Sequence, residues 1–226
     1  MSLELTLRRI AAEFSPVALA SSLSAEDMVI TDMIARAQLP IEVFVLNTGR
    51  LHADTLALLD QTRLRYRLNI NVYEPDARAV EQYVTSHGRD AFYSSVELRK
   101  QCCEIRKVEP LRRALAGKRA WITGQRRAQG ASRTDLPERE FDLMNGLHKF
   151  NPLALWSETE VWEYVRAHGV PYNQLYDQGY RSIGCAPCTR PVVAGEDARA
   201  GRWWWEIAEH KECGLHPRKR ELAHAG

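Results

Sequence analysis

Apolar residues along this chain fall into two alternating rhythms: short continuous runs, and longer stretches spaced at a helical period. Val17-Ala18-Leu19-Ala20-Ser21 is a short apolar run that predicts a buried strand. From Glu26 to Ala37, the residues Met28, Ile30, Met33, Ile34 and Ala37 roughly follow helical spacing. Ile41 to Leu46 predicts a second strand, closed by the turn-prone Asn47-Thr48-Gly49. A helix over about Ala53 to Tyr66 and a third strand at Ile70-Asn71-Val72-Tyr73 come next. A helical stretch containing Cys102 and Cys103 then precedes a fourth strand, Trp121-Ile122-Thr123-Gly124.

Strands alternating with helices imply an α/β fold: a parallel twisted sheet with flanking helices and right-handed crossovers. Such sheets bind ligands beyond the carboxyl ends of their strands. That edge receives Ser21-Ser22-Leu23-Ser24, Asn47-Thr48-Gly49-Arg50 and Gly124-Gln125-Arg126-Arg127. Further on, Ser157-Glu158-Thr159-Glu160 fits a capping box opening a helix to about His168. After Gly169-Val170-Pro171 the pattern weakens into a loop-rich stretch, and Trp203-Trp204-Trp205-Glu206 is expected to start a last helix. No internal repeat, low-complexity segment or domain linker interrupts the pattern.

The chain has 226 residues and is 45% hydrophobic, enough for a globular core without disulfide support. A net charge of +2 does not by itself argue for nucleic acid. Arginines do cluster at Arg126-Arg127, at Arg199 and Arg202, and around Arg218-Lys219-Arg220, either as local anion sites or as solvated faces. No apolar run approaches the roughly 20 residues that cross a membrane. The first residues lack the order of a secretory signal, and the cysteine count is odd, at five. The expectation is a cytoplasmic protein whose thiols serve metals or catalysis.

The cysteines carry the chemistry. Cys102 and Cys103 are adjacent, Cys185 and Cys188 form a Cys-x-x-Cys pair, and Cys213 stands alone near the end. Four thiolates would serve a closed zinc site or an iron–sulfur cluster. Adjacent helical residues point about 100° apart, which suits a wide cubane better than one tetrahedral ion. Lys107 lies one helical turn past Cys103, placed to offset thiolate charge and to reach an anion; the ordinary alternative is an exposed helix lysine. Cys213 has Lys211 and His216 nearby, cations that favour a reactive thiolate, whereas Glu212 opposes them.

Ser22 and Ser24, joining a strand to a helix, read either as a phosphate seat or as a plain serine N-cap. Glycines and the Lys-Ser/Thr pair of a Walker loop are missing. Arg199 and Arg202 share a face if helical and suit phosphate or sulfate, whereas the tryptophan run suits core packing.

From about Ser15 to Pro217 the chain resembles the assimilatory sulfonucleotide reductases, in particular the iron–sulfur type that reduces adenylyl sulfate. The resemblance rests on Lys100-Gln101-Cys102-Cys103-Glu104-Ile105-Arg106-Lys107, Gly184-Cys185-Ala186-Pro187-Cys188-Thr189 and Lys211-Glu212-Cys213-Gly214-Leu215-His216. Thr123 to Arg127 and Arg199 to Trp203 support it.

It implies an adenine nucleotide alpha-hydrolase-like fold over residues 1–202, and a C-terminal helix and mobile catalytic tail over 203–226. It implies one [4Fe–4S] cluster on Cys102, Cys103, Cys185 and Cys188, with Cys213 as the nucleophile toward the sulfur of adenylyl sulfate. Thioredoxin or a similar dithiol protein would then release sulfite. The cluster is not expected to cycle electrons. Substrate contacts are implied for Ser22, Ser24, Lys107, Gly124, Arg126, Arg127, Arg199, Arg202 and His216. No nucleic-acid or membrane partner is implied, and assembly into a homo-oligomer stays open. One departure is Ser24-Ala25, where related phosphate loops often carry glycine. The rivals are reduction of 3′-phosphoadenylyl sulfate, an ATP pyrophosphatase-type enzyme, and a zinc-stapled RNA-binding module.

Overall fold

A computed structural model of the chain describes residues 2–130 and 133–207. Its helices are α1 (Leu3–Phe14), α2 (Ala25–Arg36), α3 (Ala53–Tyr66), α4 (Ala77–His87), α5 (Val96–Cys103), α6 (Glu109–Leu115) and α7 (Glu158–His168). Its strands are β1 (Val17–Ser21), β2 (Ile41–Leu46), β3 (Ile70–Tyr73), β4 (Ala120–Ile122), β5 (Arg139–Asp142) and β6 (Leu147–Phe150). They form one sheet in the order β3-β2-β1-β4-β6-β5, with every pair parallel except β5 against β6. No helix among the described residues is long and apolar enough to cross a membrane.

The sheet's two faces explain the apolar runs. One face packs Leu19, Val43 and Ile122 against α1, α2, α3 and α7, and the other packs Ala18, Phe44 and Trp121 against α6. A strand covered on both sides is apolar along its covered length, as β1 is from Val17 to Ala20. Ser157 caps α7 through a complete capping box with Glu160, and Gly169 ends it in the left-handed conformation.

Two expectations change. The stretch around the adjacent cysteines is not one regular helix: a π-helical turn, Glu104–Val108, joins α5 to α6. Pro110, in the first turn of α6, has no N–H to give the Arg106 carbonyl, and its ring would crowd that carbonyl in a regular helix. The wider turn accommodates both effects. At the other end, Trp203 does not start a helix. Its φ is +43° and residues 203–206 form a turn; residues 208–226 lie outside the described ones.

Candidate active site

A cavity of about 390 Å³ opens at the carboxyl ends of β1, β2 and β4, the edge expected from the strand order. Ser22, Ser24, Lys107, Gly124, Arg126, Arg199 and Arg202 all line it. Arg127 does not: it is exposed and donates from Nε to the Leu136 carbonyl at 2.8 Å. Cys213 and His216 lie outside the described residues.

The serine loop's donors are engaged within the protein. Buried Asp27 accepts from Ser22 N (2.7 Å), Ser22 Oγ (2.6 Å), Ser24 Oγ (3.2 Å) and Gly124 N (2.9 Å). Ser24 caps α2 by accepting from Asp27 N, and Ala25 N donates to the Tyr176 hydroxyl at 3.1 Å. These amides are therefore already satisfied, and burial pushes the Asp27 carboxyl up against the pull of its serine donors. The ordinary serine-cap reading holds for Ser24. Arg126 is likewise engaged, paired in the interior with Glu26 at 2.7 Å. Gly124 is needed here, because a Cβ on it would sit 2.4 Å from Asp27 Oδ1.

The cations that face the cavity come instead from the chain beyond β4 and from the π turn: Arg133, Arg181, Arg199, Arg202 and Lys107. Arg202 is 8% exposed, holds the Ile183 carbonyl through Nη1 at 3.3 Å, and stacks on the Trp203 ring at 4.6 Å. Among the described residues, Arg202 Nε, Trp203 Nε1 and Gln125 Oε1 are buried without a hydrogen-bond partner. All three residues line this cavity, so a polar ligand has donors and an acceptor waiting for it.

A second, smaller cavity lies alongside and is lined by Cys102, Cys103, Cys185 and Cys188. Lys107 and Trp203 border both cavities. The loop after β2 is stitched to the Cys-x-x-Cys turn: Thr48 Oγ1 is 3.2 Å from Cys185 Sγ, Ala186 N donates to the Arg50 carbonyl at 2.8 Å, and the Tyr93 hydroxyl donates to the Pro187 carbonyl at 2.6 Å. Arg106 Nη1 holds the Thr48 carbonyl at 2.7 Å.

The four cysteines are free thiols set among Arg50, Arg99, Arg106 and Lys107, and among the described residues no carboxylate lines their cavity. Burial pushes the Cys102 thiol up, only partly offset by Arg106 and Lys107. Burial and the neighbouring Cys185 push Cys188 up to about 12. Burial would raise Cys185 too, but Lys107, Thr48 and Arg202 together hold it below its ordinary value. Among the described residues, no group of three or more His, Cys, Asp or Glu side chains could hold a single metal ion.

Sequence reasoning missed Asp27, Arg99 and Arg106 as parts of this site. For two of them the signal was available: Arg99 lies four residues before Cys103, and Arg106 four after Cys102.

The model of the phosphoadenosine phosphosulfate reductase domain matches residues 16–191. The chain is 54% identical over 217 residues to an adenosine 5′-phosphosulfate reductase of Allochromatium vinosum, covering 96% of this chain and 84% of that protein. It is 56% identical over 216 residues to one of Neisseria meningitidis, covering 95% and 88%. Among solved structures it is similar to phosphoadenylyl-sulfate reductase from Candida auris in a phosphate complex, with 29% identity, a TM-score of 0.74, and coverage of 84% of this chain and 91% of that one. A Candida glabrata FMN adenylyltransferase shares the fold at 14% identity and a TM-score of 0.56, over 98% of this chain and 80% of that one.

Proposed function

The chain belongs to the phosphoadenosine phosphosulfate reductase domain family, and from that premise we propose that it reduces adenylyl sulfate to sulfite and AMP in sulfate assimilation. The observation that carries this reading is the junction of the two cavities. A pocket of nucleotide size, rich in arginine, meets a four-cysteine cavity at Lys107 and Trp203. Relatives above 50% identity are named for adenylyl sulfate.

The nucleotide occupies the larger cavity, its sulfate end toward Lys107, Arg202 and Arg199. The Cys213 thiolate attacks the sulfate sulfur, an S–S bond forms, the S–O bond to the phosphate breaks, and AMP departs with that oxygen. The enzyme is left with an S-sulfocysteine. A dithiol protein such as thioredoxin attacks the Cys213 sulfur, expels sulfite, and is oxidised to its disulfide as Cys213 is regenerated. Two anions must meet in the first step, and cations fixed in a water-poor cavity offset that repulsion. A dithiol reductant and free thiols belong together in a reducing compartment, the cytoplasm.

The cysteine cavity fits a [4Fe–4S] cluster held by Cys102, Cys103, Cys185 and Cys188. Four free thiols face one space and cations surround them, and an adjacent pair of cysteines suits a wide multi-iron centre better than one tetrahedral ion. When bound, the cluster supplies a fixed, thiolate-ligated charge that shapes the field at the sulfate. Lys107 stands between that charge and the substrate.

Intact-protein mass spectrometry after incubation with adenylyl sulfate tests the proposal. One added sulfonate is expected on the wild-type chain and none on Cys213→Ser. Labelling by the 3′-phosphorylated nucleotide as well would make the enzyme dual in specificity. No label from either nucleotide on iron-replete protein overturns the reading.

A further inference from the structure

Arg99 is the most deeply buried charge among the described residues, and its ion-pair partner belongs to neither cavity. Its side chain is wholly inaccessible and forms a two-point pair with Glu206, itself 4% exposed. Nε meets Oε1 and Nη2 meets Oε2, both at 2.9 Å. The same guanidinium hydrogen-bonds to Cys103, one turn further along α5, and lies over the Trp203 ring at 4.8 Å. Trp203 is 1% exposed and packs on Cys103. Its amide donates to the Cys188 carbonyl at 3.1 Å, and the Glu206 amide to the Trp203 carbonyl at 2.9 Å. One arginine therefore touches a cysteine of the first pair and the chain segment that pairs with the second.

Burying an ion pair is a poor way to gain stability, since desolvation consumes most of the attraction; its best-attested use is to fix register. Here the register is that of residues 202–206, which lead on to Cys213. Trp203 adopts a left-handed φ that a residue of its size seldom takes, and the Arg99–Glu206 pair closes over that turn.

We propose that Arg99 is a positioning residue: by sharing one guanidinium between Cys103 and Glu206, it fixes the start of the Cys213-bearing segment against the cysteine cavity. The inference rests on the function proposed above for the step it positions. Neither Arg99 nor Glu206 lines the nucleotide cavity, so the pair reaches nucleotide binding only through Arg202 and Trp203, and its loss should slow the approach of the nucleophile more than it weakens binding. Lysine cannot replace Arg99, because one ammonium cannot span both carboxylate oxygens and still reach the thiol.

The test compares Glu206→Gln, Glu206→Asp and Arg99→Lys with wild type in the full, iron-loaded chain. In Glu206→Gln, adenylyl sulfate affinity is expected to fall by less than about tenfold, through Arg202 and Trp203. Iron content and visible absorption are expected to be retained. The first-order rate of Cys213 sulfonation at saturating nucleotide is expected to fall on the order of 100-fold, the effect of misplacing a reacting group by about 1 Å. Arg99→Lys is expected to behave alike, and Glu206→Asp to fall between. Independently of turnover, hydrogen exchange at the amides of Arg202, Trp203 and Glu206 is expected to quicken by about tenfold or more in Glu206→Gln.

A sulfonation rate within about threefold of wild type overturns the proposal. So does a parallel loss of iron, affinity and rate, which would make the pair a plain structural staple. If Glu206→Gln does not fold, the other two variants carry the same comparison. If the wild-type chain takes no sulfonate, the proposed function fails, and the exchange measurement still decides whether Arg99 and Glu206 hold the segment.

Discussion

Gly124→Ala should damage both the fold and the nucleotide cavity, although it adds one methyl group. The new Cβ would stand 2.4 Å from Asp27 Oδ1, 2.8 Å from Glu26 Cβ and 3.0 Å from Asp27 N. Ordinary contact requires a retreat of about 1 Å from the carboxylate, and the neighbours cannot yield. Asp27 is held by four hydrogen bonds, one of them from Gly124 N itself, while Glu26 is locked to Arg126. Forcing the methyl in costs about 1–3 kcal/mol, and loss of the Gly124 hydrogen bond to a carboxylate adds about 1.5–3 kcal/mol. For a chain of this length a loss of about 3 kcal/mol lowers the melting temperature by about 6–12 °C.

Displacing the loop after β4 also moves the cavity wall, so adenylyl sulfate affinity should fall about tenfold or more. Differential scanning fluorimetry and calorimetric titration measure the two effects. Gly146→Ala is the control: its φ is +69° but nothing lies within 4 Å, so it should lose about 1–2 kcal/mol to backbone strain and leave binding unchanged. A Gly124→Ala protein melting within about 2 °C of wild type, with unchanged affinity, would refute the argument.

Gly184→Ala should behave in the opposite sense. Its Cβ meets the guanidinium of Arg202 at 2.7 Å, the movable end of a long side chain, so melting should shift little while AMP and sulfate compete for the cavity about tenfold more weakly. Glu42 supplies a pH signature. Burial alone would raise its carboxyl, but hydrogen bonds from Lys118 and Asn71 win and lower it below the ordinary value. A lowered carboxyl contributes stability above its unfolded pKa and loses it as pH falls through the folded one. Lys118→Met should therefore lower stability at neutral pH and flatten its decline between about pH 5 and pH 2, read from urea midpoints across that range.

The parts of the fold legible in the sequence were those whose apolar positions face the core in a regular run or period. β1, β2, β3 and α3 appear with the bounds that their apolar runs and spacing predict: β1 and β2 are interior strands with neighbours on both edges, whereas the edge strand β3 and α3 each set apolar residues against the core. The β5–β6 hairpin was not legible. Arg139-Glu140-Phe141-Asp142 carries three charges in four residues, and its partner strand buries Lys149, whose ammonium is held by Glu140 at 2.9 Å and lies over the Trp121 ring at 5.5 Å. A buried lysine reads as a surface residue until its carboxylate and ring are seen in place. Trp203-Trp204-Trp205 misled in the other direction. An apolar run predicts a regular element, but two arginine guanidinia at 4.8 and 4.6 Å hold the Trp203 ring in a turn.

At the site, spacing located the residues but not their division of labour. The serines at the start of α2 carry the local signature of a phosphate seat, yet Asp27, five residues past Ser22, takes the Ser22 amide and hydroxyl. The crossing of β4's loop over that helix shows why: Gly124 N completes the carboxylate's set and ties the two loops together. The anion-facing charge then has to come from elsewhere, and it does. Arg199 and Arg202 arrive from the far end of the chain, and Lys107 from a π turn whose extra width follows from Pro110. A regular helix would have kept Lys107 over Cys103; the wider turn brings it to Cys185, at the boundary between the two cavities. Lys107 is thereby fixed by the turn that directly follows the first cysteine pair, so on the proposed function a change in the cysteine cavity reaches the sulfate site through one short stretch of chain.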